Sequence, residues 1–282
     1  MRWRPAPMHP FVIALPSPMI FCSVARRVPS LAPAFLVSAL AAALASPGAR
    51  AAETEEADGR WAAGLGGGAS KSVYAGVGTR QAAFPFLSYE GRWLRLSGNQ
   101  ADLKWLPGAP LEVSLRLQLP VAEGYKASDS PALAGMAERK ADVLAGVALR
   151  SRNQPVDLSL SWLRDVSGHS HGSTWRLGVE RALPLGPGTS LVPHLAWLRL
   201  NDRHVDYYYG VSSREATATR RAFQGSATTA VEAGLKVNHA LAPEQWLFVD
   251  LSLTRFGPGV TRSPIVARAG QPRVLLGYAH AF

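Results

Sequence analysis

The sequence predicts an all-β protein, a transmembrane antiparallel up-and-down β-barrel of about twelve strands. Segments of about ten residues alternate strictly between apolar and polar side chains, which is typical of strands with one apolar face. Connections between these segments alternate between short and long. Beyond residue 51, no apolar run approaches the roughly 20 residues that a membrane-spanning helix requires.

The composition excludes several classes of protein. The chain has 282 residues, of which 18% are charged and 47% hydrophobic, with 26 glycines and 21 prolines spread along it. Glycine and proline at this density disfavour long helices. One cysteine, Cys22, excludes a disulfide framework and a cysteine-based zinc site. Residues 1–51 contain five arginines and no acidic residue, so they carry half of the net charge of +10. Because the rest of the chain is only weakly basic, we expect no nucleic-acid partner.

The first 51 residues predict a cleaved signal peptide, with Met19 as an alternative start. Arg26 and Arg27 precede the apolar run 31–45, and Ala49 and Ala51 supply the small residues that a signal peptidase reads. The apolar run is too short for a membrane anchor. We therefore expect an exported protein with a signal peptide at 1–51, a short periplasmic tail at 52–60 and a barrel at 61–282.

Alternation defines the strands. In segment 111–120, five apolar residues share one face and Glu112 and Arg116 lie on the other. Such strands suit either a soluble sandwich or a membrane barrel, and their length favours the barrel. Tryptophans near strand ends suit an interfacial girdle. Twelve segments are predicted: 61–69, 82–90, 93–98, 100–106, 111–120, 142–151, 155–166, 174–184, 190–201, 228–240, 246–256 and 273–282. If 93–106 is one strand, the number falls to ten.

The connections orient the barrel. Short turns fall near 153–155, 186–188 and 242–244. Outer-membrane barrels have short periplasmic turns and long external loops, which places both termini in the periplasm and the long links outside. The last strand alternates through Tyr278 to the terminal Phe282, a pattern that the barrel-assembly machinery reads as its signal.

Several motifs resemble the MipA/OmpV family of outer membrane proteins. They are the segment 61–68 (Trp-Ala-Ala-Gly-Leu-Gly-Gly-Gly), the segments 84–89 and 92–98, Tyr208-Tyr209-Gly210-Val211-Ser212 before Glu215-Ala216, Ser263-Pro264-Ile265-Val266, and the terminal Phe282. The resemblance implies a scaffold in the outer membrane that links a lytic transglycosylase, which is a murein hydrolase, to a bifunctional penicillin-binding murein synthase. It implies no enzymatic activity, cofactor or metal. A small-solute channel or an adhesin is the alternative function.

Polar strand positions predict the lining of the lumen. Charges of both signs favour cross-strand pairs that fill or narrow the interior over a selectivity surface of one sign. A simple hydrated wall is the favoured interpretation of the lumen, and a small conducting pore is the alternative. The lumen-facing candidates are Glu112, Arg116, Asp157, Glu232, Lys236 and Asp250.

The long loops carry the candidate partner contacts: Tyr207, Tyr208, Tyr209, Arg214, Ser263 and Pro264. Three consecutive tyrosines can bind a partner or can pack as a local core over the barrel mouth, and packing is the favoured interpretation. Outer-membrane lipid and lipopolysaccharide are expected partners, since the loop arginines Arg203, Arg214, Arg220 and Arg221 could meet lipopolysaccharide phosphates.

One loop invites a third functional hypothesis, an outer-leaflet lipid-modifying barrel enzyme. Asp165, His169, His171 and Ser173 supply the residue types of a hydrolase. Spacing alone does not bring a nucleophile to its base, and such a segment is more often a solvated turn. We therefore assign no catalytic, cofactor-binding or metal-binding residue.

Overall fold

The computed structural model describes residues 59–105, 110–119, 124–153 and 155–282. The expected signal peptide, 1–51, lies outside the described residues, as does most of the expected tail. The strands are β1 Gly59–Lys71, β2 Thr79–Gly91, β3 Leu94–Ser97, β4 Gln100–Lys104, β5 Leu111–Gln118, β6 Leu144–Asn153, β7 Val156–Asp165, β8 Ser173–Glu180, β9 Leu183–Gly186, β10 Thr189–Leu200, β11 Thr228–Ala242, β12 Gln245–Phe256 and β13 Gly270–Ala281. The helices are α1 Asp202–Tyr209 and α2 Pro258–Thr261, with 3₁₀ turns at Ala127–Asp129 and Pro131–Leu133.

The sheet is antiparallel and closes on itself. β1 pairs with both β2 and β13, so that Leu65 lies opposite Pro85 on one side and Tyr278 on the other. β8 and β9 both pair with β10 and form two parts of one wall position. The barrel therefore has twelve strand positions, as the alternation predicts.

The ten-strand alternative is wrong. Gly98 adopts a φ of 58°, a left-handed conformation that glycine tolerates, and with Asn99 it forms a tight turn between β3 and β4. β3 pairs only with the last part of β2, from Ser88 to Glu90. The barrel wall is therefore lowest at the β3–β4 hairpin, and the part of β2 above it has no partner in β3. Pro85 lies in that part of β2, which suits a residue whose nitrogen cannot donate a hydrogen bond to a neighbouring strand.

The two faces of the wall differ as the alternation requires. On β5, Leu111, Leu115 and Leu117 are exposed, whereas Ser114 and Gln118 are buried in the lumen. Because the exposed apolar face surrounds the whole barrel, it is the face that lipid covers. Six tryptophans are exposed on this outer face: Trp61, Trp93, Trp105, Trp162, Trp175 and Trp197. Trp246 instead points inward and packs near Phe248.

The external loops pack together over the barrel mouth. We call residues 72–78, 124–143, 166–172, 201–227 and 257–269 the loop cap. Its apolar cluster has buried members from four of these five segments and from the top of β10. They are Val73, Tyr74, Val77, Tyr125, Leu133, Met136, Leu200, Val205, Tyr208, Tyr209, Val211, Val260 and Ile265. None of the helices in the described part of the chain has the length and apolar character needed to cross a membrane.

Candidate functional site: the loop cap and the charged lumen

The three tyrosines lie on α1, at the centre of the loop cap. The Asn201 side chain accepts a hydrogen bond from the backbone N–H of His204 at 2.9 Å and thereby caps the helix N-terminus. Tyr208 is 2% exposed and Tyr209 is 4% exposed, so neither ring offers a surface to a partner. Tyr207 is partly exposed, and the Arg139 guanidinium lies 5.6 Å from the centre of its ring.

Hydrogen bonds join α1 to the first and last external loops. The Tyr74 hydroxyl donates to the carbonyl of Tyr208 at 3.2 Å, and the Ser263 hydroxyl donates to the carbonyl of Tyr209 at 2.6 Å. Ser263 is buried, and Pro264 beside it is half-buried. Of the predicted contact residues, Arg214 has the most accessible side chain, because it lies exposed in a turn.

Two arginines tie the middle loops together. Arg139 donates to both carboxylate oxygens of Glu215, at 3.0 and 3.1 Å. Burial raises the pKa of Glu215, but donation from the backbone of Ala137, from Ser212 and from Arg139 outweighs burial and holds the pKa below its usual range. Arg220 is buried and donates to the carbonyls of Ala132, Ala134 and Glu215. It is therefore not accessible to lipopolysaccharide.

α1 carries a buried histidine, His204. The Nδ1 atom of His204 is 3.9 Å from Oδ2 of Asp142, and the side chain is fully enclosed. Burial lowers the pKa of His204 to about 4, with Asp165 opposing the shift. Burial also raises the pKa of Asp142, although Ser170 donates to it at 2.5 Å. The closed cap therefore favours a neutral His204.

The His-Ser-His loop is a turn held by carboxylates. Asp165 accepts hydrogen bonds from the Ser167 hydroxyl at 2.6 Å and from the His171 backbone at 2.8 Å. The backbone N–H of Ser173 donates to Asn201, and the His169 ring lies 3.0 Å from the carbonyl of Ala141. Within the described residues, Ser173 contacts neither histidine ring, whereas the Ser167 hydroxyl lies 3.1 Å from Nδ1 of His169 and donates to Asp165. These contacts order the loop. Within the described residues, no group of three His, Cys, Asp or Glu side chains converges on a metal-binding position.

Two predicted lumen residues belong to one charge network near the β3–β4 hairpin. Its centre is Arg95, which is 5% exposed and which sequence reasoning missed. Arg95 donates to Glu90 at 2.7 Å and to Glu112 at 2.7 Å. Asp102 accepts two hydrogen bonds from Arg116, at 2.7 and 2.9 Å. Cations and carboxylates alternate across β2 to β5, so the network binds the low part of the wall together.

The other predicted lumen residues lie on the opposite wall. Glu232 accepts from Arg176 at 2.7 Å, and Asp250 lies 3.1 Å from the His194 ring. Lys236 is 3% exposed and occupies the position opposite Asp250 in the β11–β12 register. Asp157 is half-buried and lies opposite Glu180. Glu232, Lys236 and Asp250 thus each lie against or opposite a cationic, acidic or imidazole partner across strands, whereas Asp157 lies opposite a second carboxylate.

An apolar patch also faces the lumen, which the alternation does not reveal. The rings of Phe86 and Phe248 meet edge to face at 5.9 Å between centroids, and Phe84 and Trp246 pack beside them. Glycines at 64 and 277 give these rings room, because a Cβ at either position would collide with them. The repeated glycines of β1 could have indicated this close packing.

The two residues of the predicted assembly signal lie at the periplasmic end. Tyr278 is half-buried within β13. Phe282 follows the last strand and is 66% exposed, and its backbone N–H donates to the carbonyl of Trp61 at 3.0 Å. The C-terminus therefore ends beside the start of the first strand.

Comparisons with known proteins agree with this architecture. A match to the family described as MltA-interacting protein MipA spans residues 63–282. The outer membrane protein YiaT of Escherichia coli K12 is 24% identical over 73% of this chain and 84% of its own length. The outer membrane protein Omp26La of Vibrio anguillarum is 26% identical over 52% of this chain, and that match spans only 57% of Omp26La.

Solved barrels resemble the chain more remotely. A bacterial polysaccharide outer membrane secretin has 10% identity and a TM-score of 0.39, over 78% of this chain and 98% of its own. Such a likeness carries no argument about function. The family match covers almost the whole barrel, and the relatives named above are outer membrane proteins. The chain therefore belongs to the MipA family and is an outer membrane β-barrel protein.

Proposed function

We propose that this protein is a non-enzymatic scaffold that holds a lytic transglycosylase close to a bifunctional penicillin-binding murein synthase at the outer membrane. The family description, an MltA-interacting protein, supports a murein-hydrolase partner. One structural observation carries the proposal. The loop cap covers the external mouth and the lumen charges are paired within the barrel, so the periplasmic rim is the surface left for a periplasmic partner.

The described connections of the periplasmic rim are short. Their exposed residues include Arg92 and Trp93 between β2 and β3, Pro187 between β9 and β10, and Glu244 between β11 and β12. Short turns on a closed barrel hold such side chains at fixed separations, as a docking platform requires. The barrel-assembly machinery, reading Tyr278 and Phe282, and outer-leaflet lipopolysaccharide are the further partners in this proposal.

Site-specific photocrosslinking in envelopes tests the scaffold. A photoreactive amino acid replaces Arg92, Pro187 or Glu244 on the periplasmic rim, and Arg214 or Thr219 on the external loops as matched exposed controls. We expect a lytic transglycosylase and a murein synthase among the adducts of the rim positions only. Adducts that contain neither enzyme, or that come equally from the external positions, would refute the scaffold.

A small-solute channel is the alternative function, supported by the polar lining of the lumen. It requires steady single-channel conductance in planar bilayers. The loop cap and the ion pairs predict a closed trace for the purified protein. A stable conductance at neutral pH would favour the channel over the scaffold.

A further inference from the structure

Charge is distributed unequally between the two faces of the wall. All of the strand carboxylates occupy lumen-side positions in the alternation: Glu90, Asp102, Glu112, Asp157, Asp165, Glu180, Glu232 and Asp250. The lipid-facing side carries no acidic residue on any described strand. It does carry cations at its external end, so this rim is purely basic.

Four upward-running strands end with an exposed, outward cation. Lys71 is the last residue of β1, and Arg164, Arg199 and Arg255 are the second-last residues of β7, β10 and β12. Within the part of the chain that the structure describes, none of the four forms an ion pair. This contrasts with the arginines of the lumen, such as Arg95 and Arg176, whose guanidinium groups are bound to carboxylates.

Two of these cations stand directly above the tryptophan girdle. Arg164 follows Trp162 by two residues, and Arg199 follows Trp197 by two, so each cation lies on the outer face one side chain further from the membrane centre. Trp175 of β8 is the register partner of both Trp162 and Arg199. Tryptophans mark the interface between hydrocarbon and head groups, which puts both guanidinium groups in the head-group layer.

The two arginines lie close enough to contact one lipid head group. β7 and β10 both neighbour β8, where Arg164 lies opposite Ser173 and Arg199 opposite Trp175, so two strand spacings and a two-residue offset separate the arginines by about 12 Å. The nearest acidic residue along the chain, Asp202 at the start of α1, makes no ion pair with Arg199. An unpaired guanidinium at this depth is suited to bind phosphate through parallel hydrogen bonds.

We propose that Arg164 and Arg199, above Trp162, Trp175 and Trp197, form a binding site for the phosphate groups of outer-leaflet lipid. The tryptophans cover the upper acyl chains and the arginines hold the head group. The site occupies the outer wall at β7, β8 and β10, away from the periplasmic rim and the loop cap. It uses none of the loop arginines that the sequence suggests.

Lipid retention tests the site. The full protein and two variants, Arg164→Gln/Arg199→Gln and Arg92→Gln/Arg181→Gln, are reconstituted in phosphatidylcholine vesicles that contain bisphosphorylated lipid A or its dephosphorylated form. Native mass spectrometry then counts the bound lipid. The second variant is the matched control, because it removes the same charge from exposed arginines away from the external rim, Arg92 at the periplasmic rim and Arg181 at the break between β8 and β9.

The full protein should retain the phosphorylated lipid about thirtyfold more than the dephosphorylated one, because each of the two membrane-surface cations contributes about 1 kcal/mol. The first variant should lose most of this preference and the control variant almost none. Heat-modifiable migration on gels verifies that each barrel is folded. An unchanged preference in the first variant, an equal loss in the control, or displacement of the lipid by millimolar inorganic phosphate would overturn the proposal.

Discussion

Arg95 and Glu112 are joined across the lumen side of β3 and β5 by two parallel hydrogen bonds, Nη1 to Oε1 at 2.7 Å and Nη2 to Oε2 at 2.9 Å. Arg95 also binds Glu90 through its Nε atom and approaches Asp102 within 3.5 Å. One cation thus compensates several carboxylates at the point where the wall is lowest. This arrangement makes Arg95 the residue on which the β3–β4 hairpin depends.

Replacement of Arg95 by Met should destabilise the barrel strongly. It removes both hydrogen bonds to Glu112, whose next cation, Lys104, lies 4.0 Å away, and the expected cost of breaking this largely buried pair is about 3 kcal/mol. The midpoint of urea unfolding in detergent, followed by heat-modifiable migration, measures the loss. Arg92→Met, at an exposed position nearby, should change it by less than about 0.5 kcal/mol. If both variants unfold at the same urea concentration, the Arg95 network contributes nothing to stability.

Two substitutions at Tyr208 separate the packing of the loop cap from its hydrogen bonding. Tyr208→Phe removes a hydroxyl that accepts from the Asp142 backbone at 3.0 Å, which should cost about 1 kcal/mol. Tyr208→Ala empties a buried ring site and should cost about 3–5 kcal/mol.

Near-UV circular dichroism of the clustered tyrosines reports the closed cap, and hydrogen exchange over 201–227 reports its opening. We expect Tyr208→Ala to open the cap while the strand amides stay protected. Equal exchange in the two variants would mean that the ring at position 208 does not hold the cap closed.

The strands were predictable from sequence because a period of two assigns residues to faces without knowledge of the partner strands. The turn between β3 and β4 depends only on the local sequence Gly98-Asn99. Its presence distinguishes the twelve-strand barrel from the ten-strand alternative. The helix α1 was not predicted, although Asn201 before Asp202 is an N-cap signal, because eight residues are about two turns and are too few for a helical periodicity to stand out.

The lumen interior was harder to predict for a different reason. Apolar residues on the lumen face break the alternation and look like residues of the lipid-facing side. Phe86, Phe248 and Trp246 were therefore not predicted to point into the lumen. Which charges meet depends on the register between strands, which a single sequence does not give. Arg95 was missed for that reason, although it lies next to predicted positions.

Acidification should loosen the loop cap through His204. Its pKa is about 4 in the closed cap and about 6.5 when solvated, so between these values the open cap binds the extra proton and the closed cap loses stability as the pH falls. The full loss by pH 4 is on the order of 3 kcal/mol. Near-UV circular dichroism between pH 7 and pH 4 should record the opening.

Asp142 acts in the opposite direction, which provides the control. Burial raises its pKa in the closed cap, so its protonation stabilises that state as the pH falls through the raised value. His204→Gln should therefore abolish the acid-induced opening, and Asp142→Asn should make it steeper. Opening that survives unchanged in His204→Gln would assign the pH response to another group.

A matched pair of glycine substitutions on β1 tests the apolar patch of the lumen. Gly64 faces inward, where a Cβ atom would lie 2.6 Å from Cζ of Phe86 and would also strike the carbonyl of Tyr278. At Gly67, which faces lipid, the nearest atom to an added Cβ is 3.4 Å away. Gly64→Val should displace the Phe86 ring and cost about 1–3 kcal/mol through overpacking, whereas Gly67→Val should fit and gain β propensity.

The fraction of each variant that migrates as folded barrel after assembly in cells, and the urea midpoint of the purified protein, measure this difference. Phe86→Ala should restore part of the folded fraction of Gly64→Val, because it removes the ring that the new side chain strikes. If Gly64→Val assembles as well as Gly67→Val, the ring of Phe86 does not lie against the backbone of β1, and the apolar patch is not a fixed part of the lumen wall.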